Sequence, residues 1–148
     1  MNVADVLDVK QILIDLEAVN QMEVIEKLAD CLEEKGVLAN KDEYIQSVLE
    51  REEHSTTGVG NGIAIPHGKS NAVSEAAIAY AKLTQPVEWI SLDDQPVSIV
   101  IMLAIPEEEQ GETHLRLLSE IAIKLMDDDI VENLKTEDNQ LKVIEYLN

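Results

Sequence analysis

Apolar residues recur at helical spacing at Met22, Val24, Ile25, Leu28, Ala29 and Leu32. Asn20 stands where an N-cap belongs and Gly36 ends the run, so the pattern predicts a helix between them. The preceding stretch, Gln11 to Leu16, reads as a short strand. A second helix is expected from a cap region at Asn40 or Lys41, with Tyr44, Ile45, Val48 and Leu49 on one face and an end near Arg51. Further on, Ala76 to Leu83 and Val97 to Ile105 read as strands, and the second is so uniformly apolar that both its faces must be covered, which places it centrally in a sheet. The last third returns to helical spacing: Thr113, Arg116, Leu117, Ile121 and Leu125 begin one helix, and Ile130 to Leu134 and Gln140 to Leu147 give two shorter ones. Strands interspersed with helices predict an α/β layer architecture, a mixed β-sheet flanked by helices. The pattern does not fix the strand order.

Length and charge narrow this picture. The chain has 148 residues and no repeat, low-complexity tract or Pro/Gly/Ser linker, so one domain over residues 1–148 is expected. A domain of that size buries roughly 70% of its unfolded surface and needs no disulfide or metal to hold it. Thirty Asp and Glu against 11 Lys and Arg give a formal net charge of −19. Such a field repels phosphate polyanions and anionic lipid, so neither nucleic acid nor a membrane surface is an expected partner. The longest apolar run, Ile99 to Pro106, is far short of the roughly 20 residues a spanning helix needs. Asp5, Asp8, Asp15 and Glu17 leave the first stretch unlike a secretory signal, and the single cysteine, Cys31, forms no CxxC pair. A cytoplasmic protein is expected, with Cys31 acting as a small buried apolar residue of the first long helix and Trp89 closing a packed cluster in the loop before Leu92.

Candidate chemistry is sparse, because the chain has three histidines and two arginines. His54 and His67 bracket a glycine-rich loop with Arg51 just before it, and His114 and Arg116 stand together at the start of the later helix. An acidic chain that holds an anion needs cations concentrated locally, and the planar fork of Arg suits phosphate. Arg51 equally suits a solvated helix end. The loop offers hydroxyls at Ser55, Thr56 and Thr57 and glycines at 58, 60 and 62. Those glycines permit either a tight turn into the strand Ile63 to Ile65 or close approach of backbone N–H groups to an anion. Neither GxxxxGK[ST] nor GxGxxG is present, so no nucleotide is indicated. Pro66 ends the strand, and His67 is expected just past its end, exposed and well oriented, either as a nucleophile or as an ordinary polar residue. A metal site built from the three histidines and neighbouring carboxylates lacks any tight ligand spacing such as HExxH.

Two segments carry a resemblance. The run REEHSTTGVGNGIAIPHG from Arg51 to Gly68 and MLAIPEEEQGETHLRLLSEIA from Met102 to Ala122 closely resemble the EIIA domain of the fructose and mannitol type of the phosphoenolpyruvate:sugar phosphotransferase system. The most specific element is GIAIPHG, whose histidine is the phosphorylated residue of the family and maps to His67. The family's arginine at the head of the loop maps to Arg51, and its second histidine, in an HL motif that opens a helix, maps to His114. Arg51 precedes His67 by 16 residues and His114 follows it by 47, spacings similar to those of relatives.

The resemblance implies a phosphoryl relay with no cofactor and no obligatory metal. The carrier protein HPr, phosphorylated on histidine, would pass its phosphoryl group to the ε2 nitrogen of His67, which would give it to a cysteine of an EIIB partner for sugar uptake, with a fructose-type system favoured. Arg51, His114 and the loop's backbone N–H groups would stabilise the transferring group, while Ser55 and Thr56 are weaker candidates. His54 has no assigned catalytic role, and Arg116 and Lys69 read as rim or surface cations. Val59, Ile63 and Leu115 are candidates for a docking surface, with core membership the safer reading for each. The resemblance also admits a regulatory, nitrogen-type branch in which phosphorylation state controls protein partners.

Overall fold

The computed structural model describes residues 2–108 and 112–148. A short helix α1 (Val3–Val6) and a 3-10 turn (Val9–Gln11) lead into β1 (Ile12–Leu16), so Gln11 lies just outside the strand expected there. Its buried side-chain amide donates to the carbonyls of Val6 and Ile78, tying the turn to the sheet. Helix α2 (Gln21–Lys35) has the caps its sequence predicts: the Asn20 side chain accepts the Glu23 N–H at 2.8 Å, and Gly36 takes the left-handed conformation at φ 92°. Helix α3 (Lys41–His54), capped by Asn40, runs three residues beyond Arg51, which therefore sits inside its last turn.

The chain then forms β2 (Gly58–Gly60), β3 (Ile63–Ala64), β4 (His67–Ser70), β5 (Ala77–Val87) and β6 (Val97–Pro106), followed by α4 (Glu112–Leu125), α5 (Asp128–Thr136) and α6 (Gln140–Leu147). Among the described residues the six strands make one mixed sheet in the order β1-β5-β6-β3-β2, with β4 also paired to β6. The apolar β6 is central, as its composition requires. It runs antiparallel to β5 and parallel to both β3 and β4. Ile63 pairs with Ile99 and His67 with Leu103, so β3 and β4 follow each other along the same edge of β6 in unbroken register. Pro66, which has no N–H to give, falls in the gap between them.

Alternation along the central strands sends two sets of side chains to opposite faces. Ala77, Ala79 and Ala81 of β5 and Val100, Met102 and Ala104 of β6 pack with Val24, Leu28, Leu32, Tyr44 and Val48 of α2 and α3. Ile78 and Tyr80 with Ile99, Ile101 and Leu103 pack against α1, α4, α5 and α6 through residues such as Val3, Leu117, Ile121, Leu134 and Val143. Trp89 is buried in the first cluster, at the position expected for it. Cys31 is only half-buried, and its thiol donates to the Lys10 carbonyl at 3.2 Å. Burial and then the carboxylates of Glu34 and Asp8 push its pKa up, which leaves little reactive thiolate. No helix among the described residues is long and apolar enough to cross a membrane.

Candidate functional site

The sheet's central edge delivers His67. As the first residue of β4 it is 6% exposed, a correction to the exposed position that its place after Pro66 predicts. The reason is non-local: β4 is drawn onto β6, and α3 packs over it through Ser47 and Val48 beside Gly68. The buried Tyr44 hydroxyl donates to the Leu103 carbonyl at 2.7 Å, bracing the β6 residue that faces His67 in the ladder. The His67 Nδ1 lies 2.9 Å from the carbonyl oxygen of Ile65. A carbonyl only accepts, so Nδ1 carries the proton and Nε2 keeps the lone pair.

His114, in the first turn of α4, brings its ring centroid to 4.9 Å from that of His67, with the planes inclined at 50°. Its Nε2 is buried without a hydrogen-bond partner among the described residues. Such an atom is costly to leave unpaired and is poised to pair with an incoming polar group. Arg51 donates to the Ser55 carbonyl at 3.0 Å and to the Ser55 hydroxyl oxygen at 3.3 Å, closing the end of α3.

The electrostatics favour two neutral rings. Burial is the main cause that lowers the His67 pKa from its ordinary 6.5; the bond to Ile65 opposes it, and the Arg51 charge reinforces it. Burial likewise lowers the His114 pKa, aided by His67, Lys69 and Arg51. Arg51 and Lys69 thus lie near enough for their charges to act on the pair, although Lys69 itself is exposed. A neutral imidazole is the nucleophilic form, so any transfer that uses His67 as its nucleophile is expected to hold constant above pH 6.5 and to halve only below it. Single-turnover rates across about pH 5 to 8 check this, and a midpoint above the ordinary histidine value would contradict it. Linkage carries the same sign: the unfolded chain takes up the proton first, so stability from the neutral rings is complete above pH 6.5 and is lost as pH falls through the lower folded-state values.

The glycine-rich loop is a hairpin. Asn61 and Gly62 adopt φ of 57° and 78° between β2 and β3, the paired left-handed turn that Asn-Gly favours. The turn reading of the glycines is therefore the one realised. Two of the loop's amides are engaged within the protein: the Gly58 N–H donates to Thr56 Oγ1 at 3.0 Å and the Asn61 N–H to Asp93 Oδ2 at 2.9 Å. The Thr56 hydroxyl donates in turn to the Ile90 carbonyl.

His54 is exposed at the end of α3, and exposed Arg116 makes a 3.6 Å ion pair with Glu120. Ile63 is core, whereas Val59 and Leu115 are 43% and 65% exposed, so the docking reading suits the latter two and the core reading does not. Residues 109–111 of the second motif lie outside the described residues. Among the described residues, no three or more His, Cys, Asp or Glu side chains come together as a metal site would require. Two residues escaped the sequence reading. Glu52, which binds Thr57, had the signal of standing next to Arg51, while Asp93, remote in sequence, had none.

Comparison with known proteins gives the family and the fold. The family profile for "Phosphoenolpyruvate-dependent sugar phosphotransferase system, EIIA 2" matches residues 5–148. The chain is 36% identical over 127 residues to an Escherichia coli PTS system 2-O-alpha-mannosyl-D-glycerate-specific EIIABC component, covering 83% of this chain and 19% of the relative. It is 33% identical over all 148 residues to a Bacillus subtilis PTS system fructose-specific EIIABC component, of which it spans 23%. A Haloferax volcanii PTS system fructose-specific EIIA component is 36% identical over 83% of this chain and 79% of its own length. In structure, nitrogen regulatory protein IIA-Ntr from Neisseria meningitidis superposes with a TM-score of 0.90 at 31% identity, over 97% of each chain. A profile matched over almost the full length, on a fold shared with that solved relative, makes this chain a member of the EIIA 2 family of the phosphoenolpyruvate-dependent sugar phosphotransferase system.

Proposed function

We propose that the protein relays a phosphoryl group through His67: it accepts the group from phosphorylated HPr and hands it to a cysteine of an EIIB partner. The observation that carries this reading is the His67 ring itself, buried beside His114 with Nδ1 held by the Ile65 carbonyl. In the first step the N–P bond of the donor histidine breaks as the Nε2–P bond forms. His67 keeps its Nδ1 proton, so the phosphorylated ring is cationic and the Ile65 oxygen stabilises it. That charge keeps the imidazole a good leaving group for the second step, in which the Nε2–P bond breaks and an S–P bond forms on the cysteine thiolate. Such transfer depends on positioning and on stabilising the equatorial oxygens. His114 Nε2, once protonated next to the arriving dianion, and Arg51, on swinging from Ser55, supply that stabilisation.

Access supports the same reading. Val59 and Asn61 of the hairpin, the buried Ile63, Ala122 and Leu125 of α4 and Met126 just past its end line an apolar groove, and Leu115 lies exposed one turn from the start of that helix. This is a surface for the apolar patch of a carrier, and the net charge of −19 attracts a carrier whose patch is ringed by basic residues. A fructose-type transport role follows the two fructose-specific relatives. A regulatory role is favoured by a separate observation, the TM-score of 0.90 to the nitrogen regulatory protein; coupled transfer to purified EIIB separates the two.

Incubation with phosphoenolpyruvate, Enzyme I and HPr, followed by mass spectrometry in alkali, tests the relay. One acid-labile phosphate per chain is expected, and an unmodified chain under conditions that phosphorylate HPr would sink the proposal. His114→Ala is expected to accept phosphate still but to pass it to EIIB about tenfold or more slowly, since one stabilising donor is lost. Donation at the normal rate would remove His114 from the mechanism.

A further inference from the structure

Ile65 and Pro66 lie between β3 and β4; the Pro66 carbonyl accepts the Leu103 N–H of β6 at 3.0 Å, and the Ile65 carbonyl is the group that orients His67. What fastens Ile65 is a bond from its N–H to the Thr57 carbonyl at 2.9 Å. Thr57 is 5% exposed and is gripped at two points by one carboxylate: its hydroxyl donates to Glu52 Oε1, and its N–H donates to Glu52 Oε2 at 3.3 Å. Glu52 sits on the last turn of α3, a rigid element packed on the sheet. An unbroken path of hydrogen bonds and single residues therefore runs from a helix-borne carboxylate through Thr57 and Ile65 to the Nδ1 of His67.

We propose that Glu52 is a positioning residue for His67, fixing through Thr57 and Ile65 the carbonyl that selects the Nδ1–H tautomer and aims Nε2. This rests on the reading of His67 as phosphoryl acceptor, but its first consequence, the tautomer, does not. Were Ile65 free to turn its carbonyl away, the ring would lose the acceptor that holds the proton on Nδ1, and the Nε2–H form, which has no lone pair at the reacting atom, would become populated. The path also explains why a hydroxyl residue is buried at position 57 and why a carboxylate is present one residue from Arg51, where charge balance alone sets no such geometry.

The test pairs a tautomer measurement with kinetics. In 15N spectra of the unmodified protein, His67 is expected as a single Nδ1–H tautomer. Glu52→Ala is expected to give a mixture of tautomers and to slow phosphoryl acceptance about tenfold at saturating HPr, with KM for HPr little changed, because the docking groove is untouched. Glu52→Gln retains an oxygen for the Thr57 hydroxyl and is expected to recover most of both readouts. Thr57→Val, which removes the hydroxyl at nearly constant volume, should reproduce the Glu52→Ala behaviour, and stands in for it should Glu52→Ala not fold; Thr57→Ser should not. A single Nδ1–H tautomer and an unaltered rate in Glu52→Ala or Thr57→Val would overturn the proposal. A tautomer shift in a protein whose unsubstituted form accepts no phosphate would uphold the positioning role and overturn the relay instead.

Discussion

His67→Asn is expected to abolish phosphoryl acceptance, lowering the rate at least about a thousandfold, to the limit of detection, because the nucleophile itself is removed. Asn is the informative replacement. It is smaller than His and polar, and its amide can still reach the Ile65 carbonyl that the ring nitrogen occupies at 2.9 Å, so the strand and its brace on α3 are retained. No lone-pair nitrogen remains at the Nε2 position, and an amide is not a nucleophile at neutral pH. The companion histidine does not substitute for it: His114 sits on a different element, and nothing among the described contacts holds its ring in one tautomer as Ile65 holds that of His67. The assay is the alkaline mass measurement, run beside circular dichroism to show that the variant is folded. An acid-labile phosphate on folded His67→Asn would move the acceptor elsewhere and overturn the relay as drawn.

Gly68→Ala is expected to have the largest effect on stability. The residue next to His67 is glycine for want of space, since an added Cβ would run into Ser47 Oγ and lie 2.9 Å from Val48 Cγ2 and 3.1 Å from the Val48 backbone nitrogen. Ser47 cannot simply turn aside, because its hydroxyl donates to the Tyr44 carbonyl at 2.6 Å, and Val48 is fully buried. Relief requires α3 to lift from β4. Overpacking of this kind costs about 1 to 3 kcal/mol, or roughly 3 to 10 °C in Tm for a chain of this size. Because β4 starts with His67, acceptance should slow as well. Adding Ser47→Gly to Gly68→Ala removes one of the clashing groups and should recover part of the loss, a coupling that thermal denaturation of the two single variants and the double variant measures. A Tm within a degree of the parent for Gly68→Ala would show that α3 and β4 are not packed this closely.

The helices were legible in the sequence because their signals are local. Asn20 and Gly36 bound α2 as caps must, and Asn40 starts α3. The end of α3 lies three residues beyond the reading near Arg51 because nothing apolar marks its last turn, where Arg51, Glu52, Glu53 and His54 continue the helix. Strand β6 announced itself by composition, whereas β4, with the sequence His-Gly-Lys-Ser, has no strand pattern and exists because β6 and α3 offer it a partner on each side. That is also why His67 reads as exposed in the sequence and is buried in the fold.

By itself, the amino-acid sequence determined the α/β class, the central strand, the acidic character, and the order and spacing of Arg51, His67 and His114, because each depends on residue type and short-range period. The tertiary structure alone decided that the two histidine rings meet at 4.9 Å, that burial holds both below the ordinary histidine pKa, and that Nδ1 rather than Nε2 carries the His67 proton. The ring contact and the burial arise between segments distant along the chain, His67 on Leu103 in the β4–β6 ladder and His114 of α4 beside it, while the tautomer follows from a shorter path, Glu52 through Thr57 to Ile65, whose turns close only once β4 is seated on β6; no local period encodes which groups will meet.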